Sequence, residues 1–512
     1  MPDTIDSLLR RRAAEHPAKP AVIDPTSRIS YRELDTTTAD LAATFVASGV
    51  SKGTRVGLIM PNGVRWIQIA LALTRVGAVL VPLSTLLQPR ELVAQLRVAS
   101  VQYVVTVTEF LGHHYVDELT LAHPKLSALR AFWTDDSLAA KAADAGAAGV
   151  VDAMCHAVCP SDPLLIVFTS GSSGTPKGVV HSHGNALGAV RSGLTARCID
   201  ANTTLYLPMP FFWVGGLGGG VLSALLAGAT LVTEPTPKPE STLRLLERER
   251  VTLFRGWPDQ AQMLARQLDS VGADLSSLQS GSLEALLPPH LRSRPGARAR
   301  LFGMTESFGP YCGYRADTDM PESAWGSCGR PFPGMEVRIV DVEDGAPVDT
   351  GTVGMIQIRG PHILRGICRR SREDLFTADG FYPTGDLGHL DEKGFMFYHG
   401  RSDDMFKCGG ATVYPSEVEE ALRTVDGVIG AFVTNVGSDI GDRVAAAVVC
   451  DTATMSASTL HEAARTLLSA FKVPKIWLLV DSDDAIPRGS TGKVDVQRLR
   501  EILTNSKKVD NT

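Results

Sequence analysis

The chain has 512 residues, 44 % of them hydrophobic and 21 % charged, with a formal net charge of −6. That length exceeds one ordinary core, so at least two domains are expected, and the acidic balance argues against a polyanion such as nucleic acid as partner. Eight cysteines scattered over the chain do not make a disulfide framework and suit a reducing cytoplasm.

The opening stretch, MPDTIDSLLRRRAAEHPAKPAV, is an acidic helix entry followed by arginines and lacks the long apolar core of a secretory signal, so it reads as mature protein. Up to about Val232, helical patterns alternate with β-branched runs: RVGLIM (55–60), AVLVPL (78–83), QYVVTV (102–107) and LLIVFT (164–169). Such alternation predicts an α/β class fold with largely parallel strands buried on both faces. CHAVC (155–159) has no second cysteine or histidine pair nearby to complete a tetrahedral site, so free thiols are expected there. The uncharged run GGLGGGVLSALLAGATLV from Gly215 is glycine-rich and predicts a buried helix and strand, with no membrane span. From Val337 short strands and glycine turns take over (EVRIVD, GMIQIRG, GFMFYHGR) and predict a β-rich subdomain. After Arg401, PSEVEEAL reads as a helix start, and VAAAVVC and IWLLVD as strands. The expected layout is a large N-terminal domain, 1–400, of layered α/β subdomains plus a β-rich subdomain, and a small α+β C-terminal domain, 401–512.

The segment IVFTSGSSGTPKGVVHSHGNAL (166–187) places a Gly/Ser/Thr loop directly after a buried strand. Backbone N–H groups, hydroxyls and one lysine in such a loop suit phosphate oxygens. It departs from the G-x-x-x-x-G-K-[ST] loop in two places: Pro176 replaces the second glycine and Gly178 the metal-binding hydroxyl, which excludes an ordinary nucleoside-triphosphatase loop.

TSGSSGTPKG in this order resembles the phosphate segment of the adenylate-forming superfamily: acyl- and aryl-CoA ligases, peptide-synthetase adenylation domains and firefly-type luciferases. Further segments are similar in order and spacing over nearly the whole chain. ISYREL (29–34) resembles the early helix entry and LFGMTES (301–307) the Y-G-x-T-E segment with Phe302 for tyrosine. YPTGDLG (382–388) resembles the T-G-D motif, GRSDDMFKCGGATVYPSEVEEAL (400–422) the hinge, and IPRGSTGKV (486–494) the C-terminal lysine motif. The resemblance implies attack of a carboxylate on the α-phosphate of ATP, then transfer of the acyl group to a thiol. It implies ATP and Mg²⁺, with CoA as the favoured thiol co-substrate in place of an acyl-carrier protein.

On the same resemblance, Thr169, Ser170, Gly171, Ser172, Ser173, Gly174, Thr175 and Lys177 would grip the β- and γ-phosphates. Thr305 would touch the α-phosphate, and Glu306 would hold Mg²⁺, a metal that favours hard oxygen ligands. Asp386 would accept the ribose hydroxyls, although by itself Asp after Gly reads as a turn-former. Arg401 would reach the same nucleotide, Phe302 and Gly303 would lie against adenine, and Gly281 and Ser282 stand where relatives carry an adenine wall. Lys493 would bridge the attacking carboxylate and the α-phosphate. Asp403 aligns with the hinge about which a mobile last domain would exchange Lys493 for the face around Lys407, Gly409 and Gly410, which would line a thiol tunnel.

The resemblance also implies an acid pocket at MPFFWVGGLGGG (209–220), where Trp213 stands in place of the histidine common in the family; Phe212, Trp213, Gly216 and Trp257 would form its wall. An indole cannot pair with an ammonium, so amino acids are disfavoured, while aryl, medium-chain and polyketide-like acids stay open. The partners expected are a small carboxylic acid and CoA, in the cytoplasm. Alternatives are a stand-alone adenylating enzyme that passes the acyl group to a carrier protein or a nitrogen nucleophile, including diazotase-like secondary metabolism, and a non-catalytic nucleotide-binding protein.

Overall fold

A computed structural model describes residues 3–139, 147–169, 176–402, 406–408, 411–438, 441–468, 472–489 and 492–509. The chain forms two compact units, Met1–Glu336 with Ile358–Phe381, and Val337–Gln357 with Tyr382–Thr512.

The β-branched runs of the first unit become neighbours in a seven-stranded sheet, in the order Gly366–Ile367, Lys177–Ser182, Pro163–Thr169, Val79–Pro82, Arg55–Ile59, Tyr103–Thr106 and Ala131–Thr134. The five strands from Pro163–Thr169 to Ala131–Thr134 run parallel; Lys177–Ser182 runs antiparallel to them, and Gly366–Ile367 pairs antiparallel with it in turn. Side chains alternate between two cores, as the two-residue period of a strand requires. Leu80, Val105, Leu165 and Val167 face one core; Val79, Val81, Val104 and Ile166 face the other. Burial on both faces is why these runs carry almost no polar residue.

A five-stranded sheet has the order Leu253–Phe254, Thr204–Tyr206, Thr230–Val232, Pro20–Ile23 and Arg28–Ser30, and only its last strand is antiparallel. The apolar run from Gly215 is a buried helix over residues 214–227, with a π-turn at Leu217–Leu222, and it feeds strand Thr230–Val232. No described helix is long and apolar enough to cross a membrane. A third, three-stranded sheet is formed by Phe302–Met304, Gly309–Gly313 and Arg330–Pro331.

The ISYREL entry is a capped helix start. Ser30 Oγ accepts from Glu33 N, and Glu33 Oε2 accepts from Ser30 N at 2.8 Å, opening helix Tyr31–Ala47. That helix meets helices Ile5–Glu15 and Val64–Arg75 around one buried charge. Arg75, 1 % exposed, donates to Asp6 Oδ1 from Nε (2.9 Å) and Nη2 (2.6 Å), to Asp35 Oδ1 (3.0 Å), and to Thr38 Oγ1 (2.9 Å). Cys155 is buried beside this pair, where burial and Asp6 push its thiol up to about 11. Among the described residues no group of three or more His, Cys, Asp or Glu is placed to hold a metal ion.

In the second unit a four-stranded sheet, Glu336–Val340, Gly354–Arg359, Tyr382–Leu390 and Met396–Arg401, carries the short β-rich segments. A three-stranded sheet pairs Val428–Ser438 antiparallel and Ile476–Val480 parallel with Gly441–Cys450, and helices Pro415–Arg423, Ala457–Leu467 and Val496–Val509 accompany it.

Breaking a buried ion pair by removing one partner typically costs about 3–5 kcal/mol, because the other charge stays buried. Arg75→Met is therefore expected to lower the stability of the first unit by that order, and Asp6→Asn in the same chain to restore part of it. Urea denaturation followed by tryptophan fluorescence measures both.

Candidate functional site

Strand Pro163–Thr169 ends on a half-buried Thr169, and Lys177, also half-buried, stands directly opposite it at the start of the antiparallel strand Lys177–Ser182. The phosphate segment thus connects two strands, unlike the strand-to-helix loop of nucleoside triphosphatases. Ser170, Gly171, Ser172, Ser173, Gly174 and Thr175 lie outside the described residues.

Four residues beyond Lys177, His181 reaches across to the TE segment. Its Nε2 donates to Thr305 O at 2.8 Å, and its Nδ1 accepts from Asn185 Nδ2 at 2.7 Å. Asn185 is fixed in turn: its Oδ1 accepts from Ser182 N (2.5 Å) and Ser182 Oγ (3.0 Å), and its Nδ2 also donates to His362 O (3.2 Å). The ring lies 4.9 Å from that of Phe308. Both bonds need one neutral tautomer, and full burial enforces it by pushing the imidazole down to about 4. His183, equally buried, is also pushed down to about 4, with Nδ1 accepting from Ile5 N at 3.2 Å.

Thr305, Glu306 and Ser307 form one tight turn between strands Phe302–Met304 and Gly309–Gly313. Ser307 Oγ donates to Gly309 O (2.7 Å) and accepts from Met304 N (3.1 Å), and Glu306 O accepts from Leu364 N (2.7 Å). Thr305 is half-buried and Glu306 buried. Gly303 is required by this hairpin, since a Cβ there would stand 2.0 Å from Gly309 O. Phe302 is half-buried, its ring edge-on to Tyr311 at 5.7 Å. Gly281 runs beside the backbone of Ala316 and Asp317, and Ser282 is buried with its Oγ accepting from Phe254 N at 3.1 Å, so that hydroxyl serves the sheet edge.

Three of the expected pocket aromatics come together. Trp213 stands edge-on to Phe212 (5.3 Å, 76°) and to Trp257 (6.0 Å, 87°). Phe212 is core, whereas Trp213 is half-buried and Trp257 is 38 % exposed. At Gly216 a Cβ would lie 2.1 Å from Pro210 O, so its missing side chain serves close backbone packing.

The second unit brings Asp386 and Arg401 together. They are paired across antiparallel strands, with Arg401 Nη1 donating to Asp386 Oδ1 at 3.3 Å and to Thr384 O at 2.9 Å. Asp386 is buried mid-strand, outside the turn that the Gly-Asp dipeptide suggests, and its N–H donates to Thr384 Oγ1 at 3.0 Å. Lys493 is exposed in a turn where its carbonyl accepts from Gly489 N at 2.8 Å. Lys407 lies in the short strand Phe406–Cys408, while Asp403, Gly409 and Gly410 lie outside the described residues.

The sequence reading missed His181, Asn185, Arg197, Arg255 and Gln260. A histidine in the apolar alternation of strand 177–182 was the one available signal. The others depend on contacts: the Arg255 Nε and Gln260 Oε1 atoms are buried with no hydrogen-bond partner.

The protein-family model described as "AMP-binding enzyme" matches residues 9–368. The chain belongs to the AMP-binding enzyme family. This family member is 32 % identical to a 3-[(3aS,4S,7aS)-7a-methyl-1,5-dioxo-octahydro-1H-inden-4-yl]propanoyl:CoA ligase of Mycobacterium tuberculosis, over 98 % of this chain and 99 % of that protein. It is 29 % identical to an indoleacetate–CoA ligase of Aromatoleum aromaticum, over 98 % of each. Among solved structures, ATP-bound MatB from Rhodopseudomonas palustris superposes with a TM-score of 0.80 at 24 % identity, covering 98 % of this chain and 99 % of that one, and shares its fold. The family resemblance and the α/β architecture expected from sequence both hold.

A histidine whose folded pKa lies below its unfolded value stabilises above pH 6.5, and that stabilisation is lost as pH falls through the folded value of about 4. For His181 the difference amounts to about 3 kcal/mol. The melting temperature is expected to fall between pH 6.5 and 4, and less steeply in His181→Gln, which keeps a donor but does not titrate. Scanning calorimetry across that range measures the difference.

Proposed function

We infer that this enzyme is an AMP-forming acid–CoA ligase. A carboxylate oxygen attacks the α-phosphorus of ATP and pyrophosphate leaves; the CoA thiol then attacks the acyl carbonyl, and AMP leaves with the bonding pair of the acyl–oxygen bond. The observation that carries the reading is the His181 bridge, by which the strand that begins at Lys177 also fixes the Thr305–Glu306 turn. One rigid strand thereby sets the two places where phosphate oxygens would be received.

Two anions must meet in the first step, so neutralisation and alignment dominate it. Thr169, the 170–175 segment and Lys177 would hold the leaving pyrophosphate, and Thr305 the α-phosphate. Asp386 offers two carboxylate oxygens to a ribose diol, and Arg401 fixes one of them beforehand. Phe302, Gly303, Gly281 and Ser282 would border adenine, and Phe212, Trp213 and Trp257 the acid. Lys493, a point charge on a flexible stem, suits a contact made in only one lid arrangement. The lid would turn about Asp403 and then present Lys407, Gly409 and Gly410 to the pantetheine arm.

For Mg²⁺, Glu306 is a hard oxygen donor, and with no cluster of three candidate ligands among the described residues, nucleotide phosphates and water would complete the shell. When bound, the ion would neutralise phosphate charge. CoA is favoured as acceptor because the relatives are named as CoA ligases; a cytoplasmic setting suits that co-substrate.

Incubation with ATP, Mg²⁺ and a mixed panel of aliphatic and aromatic acids, with and without CoA, is expected to yield acyl-CoA and AMP together by mass spectrometry. Acyl-AMP that accumulates despite CoA would point to another acceptor. Lys493→Ala is expected to slow acyl-adenylate formation by roughly 10²- to 10³-fold while ATP binding by calorimetry persists.

A further inference from the structure

Arg255 directly follows strand Leu253–Phe254, two residues before Trp257. Its neighbour Phe254 is bonded through N to Ser282 Oγ at 3.1 Å, so Arg255 follows in the chain a residue tied to the Gly281–Ser282 segment and precedes the tryptophan of the pair by two positions. Its Nη2 donates to Arg197 O at 2.8 Å, while its Nε is buried and meets no acceptor. The residue as a whole is half-buried.

Arg197 stands behind it, 6 % exposed, with Nε on Gly193 O (3.2 Å) and Nη2 on Val190 O (2.6 Å). Every acceptor these two guanidiniums meet is a neutral carbonyl, and neither forms an ion pair among the described residues. The carboxylate acting on Arg255, that of Asp317, is already held by Arg315 through bonds of 3.0 and 2.6 Å. The group of Arg197, Arg255, Arg315 and Asp317 therefore carries two uncompensated positive charges. Burial pushes both Arg197 and Arg255 down to about 10, and Arg255 further lowers Arg197 by repulsion. Uncompensated interior cations are costly, and an anion delivered by a ligand removes the cost. A guanidinium fork matches a carboxylate in geometry as well as in charge.

We propose that Arg255, backed by Arg197, receives a second carboxylate on the acid, remote from the one that is activated, so that the preferred substrates are dicarboxylic acids. The inference rests on the ligase reading above and on the acid lying beside Trp213 and Trp257. A purely structural Arg255, bracing the Arg197 loop, would affect all acids alike. Selection for a second charge affects only the ratio between acids.

The test is ATP–pyrophosphate exchange by the full-length enzyme with straight-chain and aromatic dicarboxylates, each measured against its monomethyl ester. The kcat/KM of the best diacid is expected to exceed that of its monoester by at least about 50-fold, and this ratio to collapse toward unity in Arg255→Gln. In Arg255→Lys, which keeps the charge without the fork, an intermediate ratio is expected. Should Arg255→Gln fail to fold, the wild-type melting temperature gives the same comparison, rising with the diacid and not with the monoester. Monoesters or plain monoacids exchanging as well as diacids would overturn the proposal and leave the ligase reading standing, as would an unchanged ratio in Arg255→Gln. Absence of exchange with every acid would overturn both.

Discussion

The hydrogen bond from His181 to the Thr305 carbonyl is the constraint on which the candidate site of the first unit turns. It spans 124 positions of sequence and joins two sheets that otherwise have separate strand orders. A backbone carbonyl has no choice of rotamer, so holding it positions the whole turn, Thr305 hydroxyl and Glu306 carboxylate included. The donor is equally constrained: burial excludes the imidazolium, and Asn185 selects the tautomer. Such a chain of fixed dipoles would need no reorganisation if phosphate charge were received there as proposed, which is the form of electrostatic help that costs least at the moment of reaction.

In the second unit the same economy appears with a charged pair. Arg401 is placed opposite Asp386 by register alone, and Thr384 closes the local network through its hydroxyl and its carbonyl. A carboxylate that is buried, mid-strand and already oriented can select a diol without a loop having to order around it. His181, Asp386 and Arg401 thus all stand on strands, where a side chain's direction follows from pairing.

Much of this was legible in the residues. The parallel strands of the seven-stranded sheet could be read because burial on both faces leaves no polar position, and the helix at Tyr31 because Ser30 and Glu33 cap it. The 166–187, T-E, T-G-D and lysine segments carried the family resemblance because each is local and rich in glycine or hydroxyl. What escaped was set by contact. The dipeptide Gly-Asp at 385–386 suggests a turn, yet pairing with Arg401 keeps it in a strand. Nothing local marks His181 as the partner of residue 305, or Arg255 as a charge without a counter-ion. Nor does anything local show that at Gly216, expected in the pocket wall, a side chain would meet the carbonyl of Pro210.

That last contact has a consequence for how this protein could diverge. The segment that would floor the acid pocket is rigid at Gly216, because any side chain there collides with main chain that cannot step aside. With the acid placed there as proposed, variation in the accepted acid would fall to the aromatic rim, where Trp213 and Trp257 meet edge to edge. A lineage exploring new acids would be expected to keep the glycine and exchange the tryptophans, so the rim records the history of substrate choice while the floor stays silent about it.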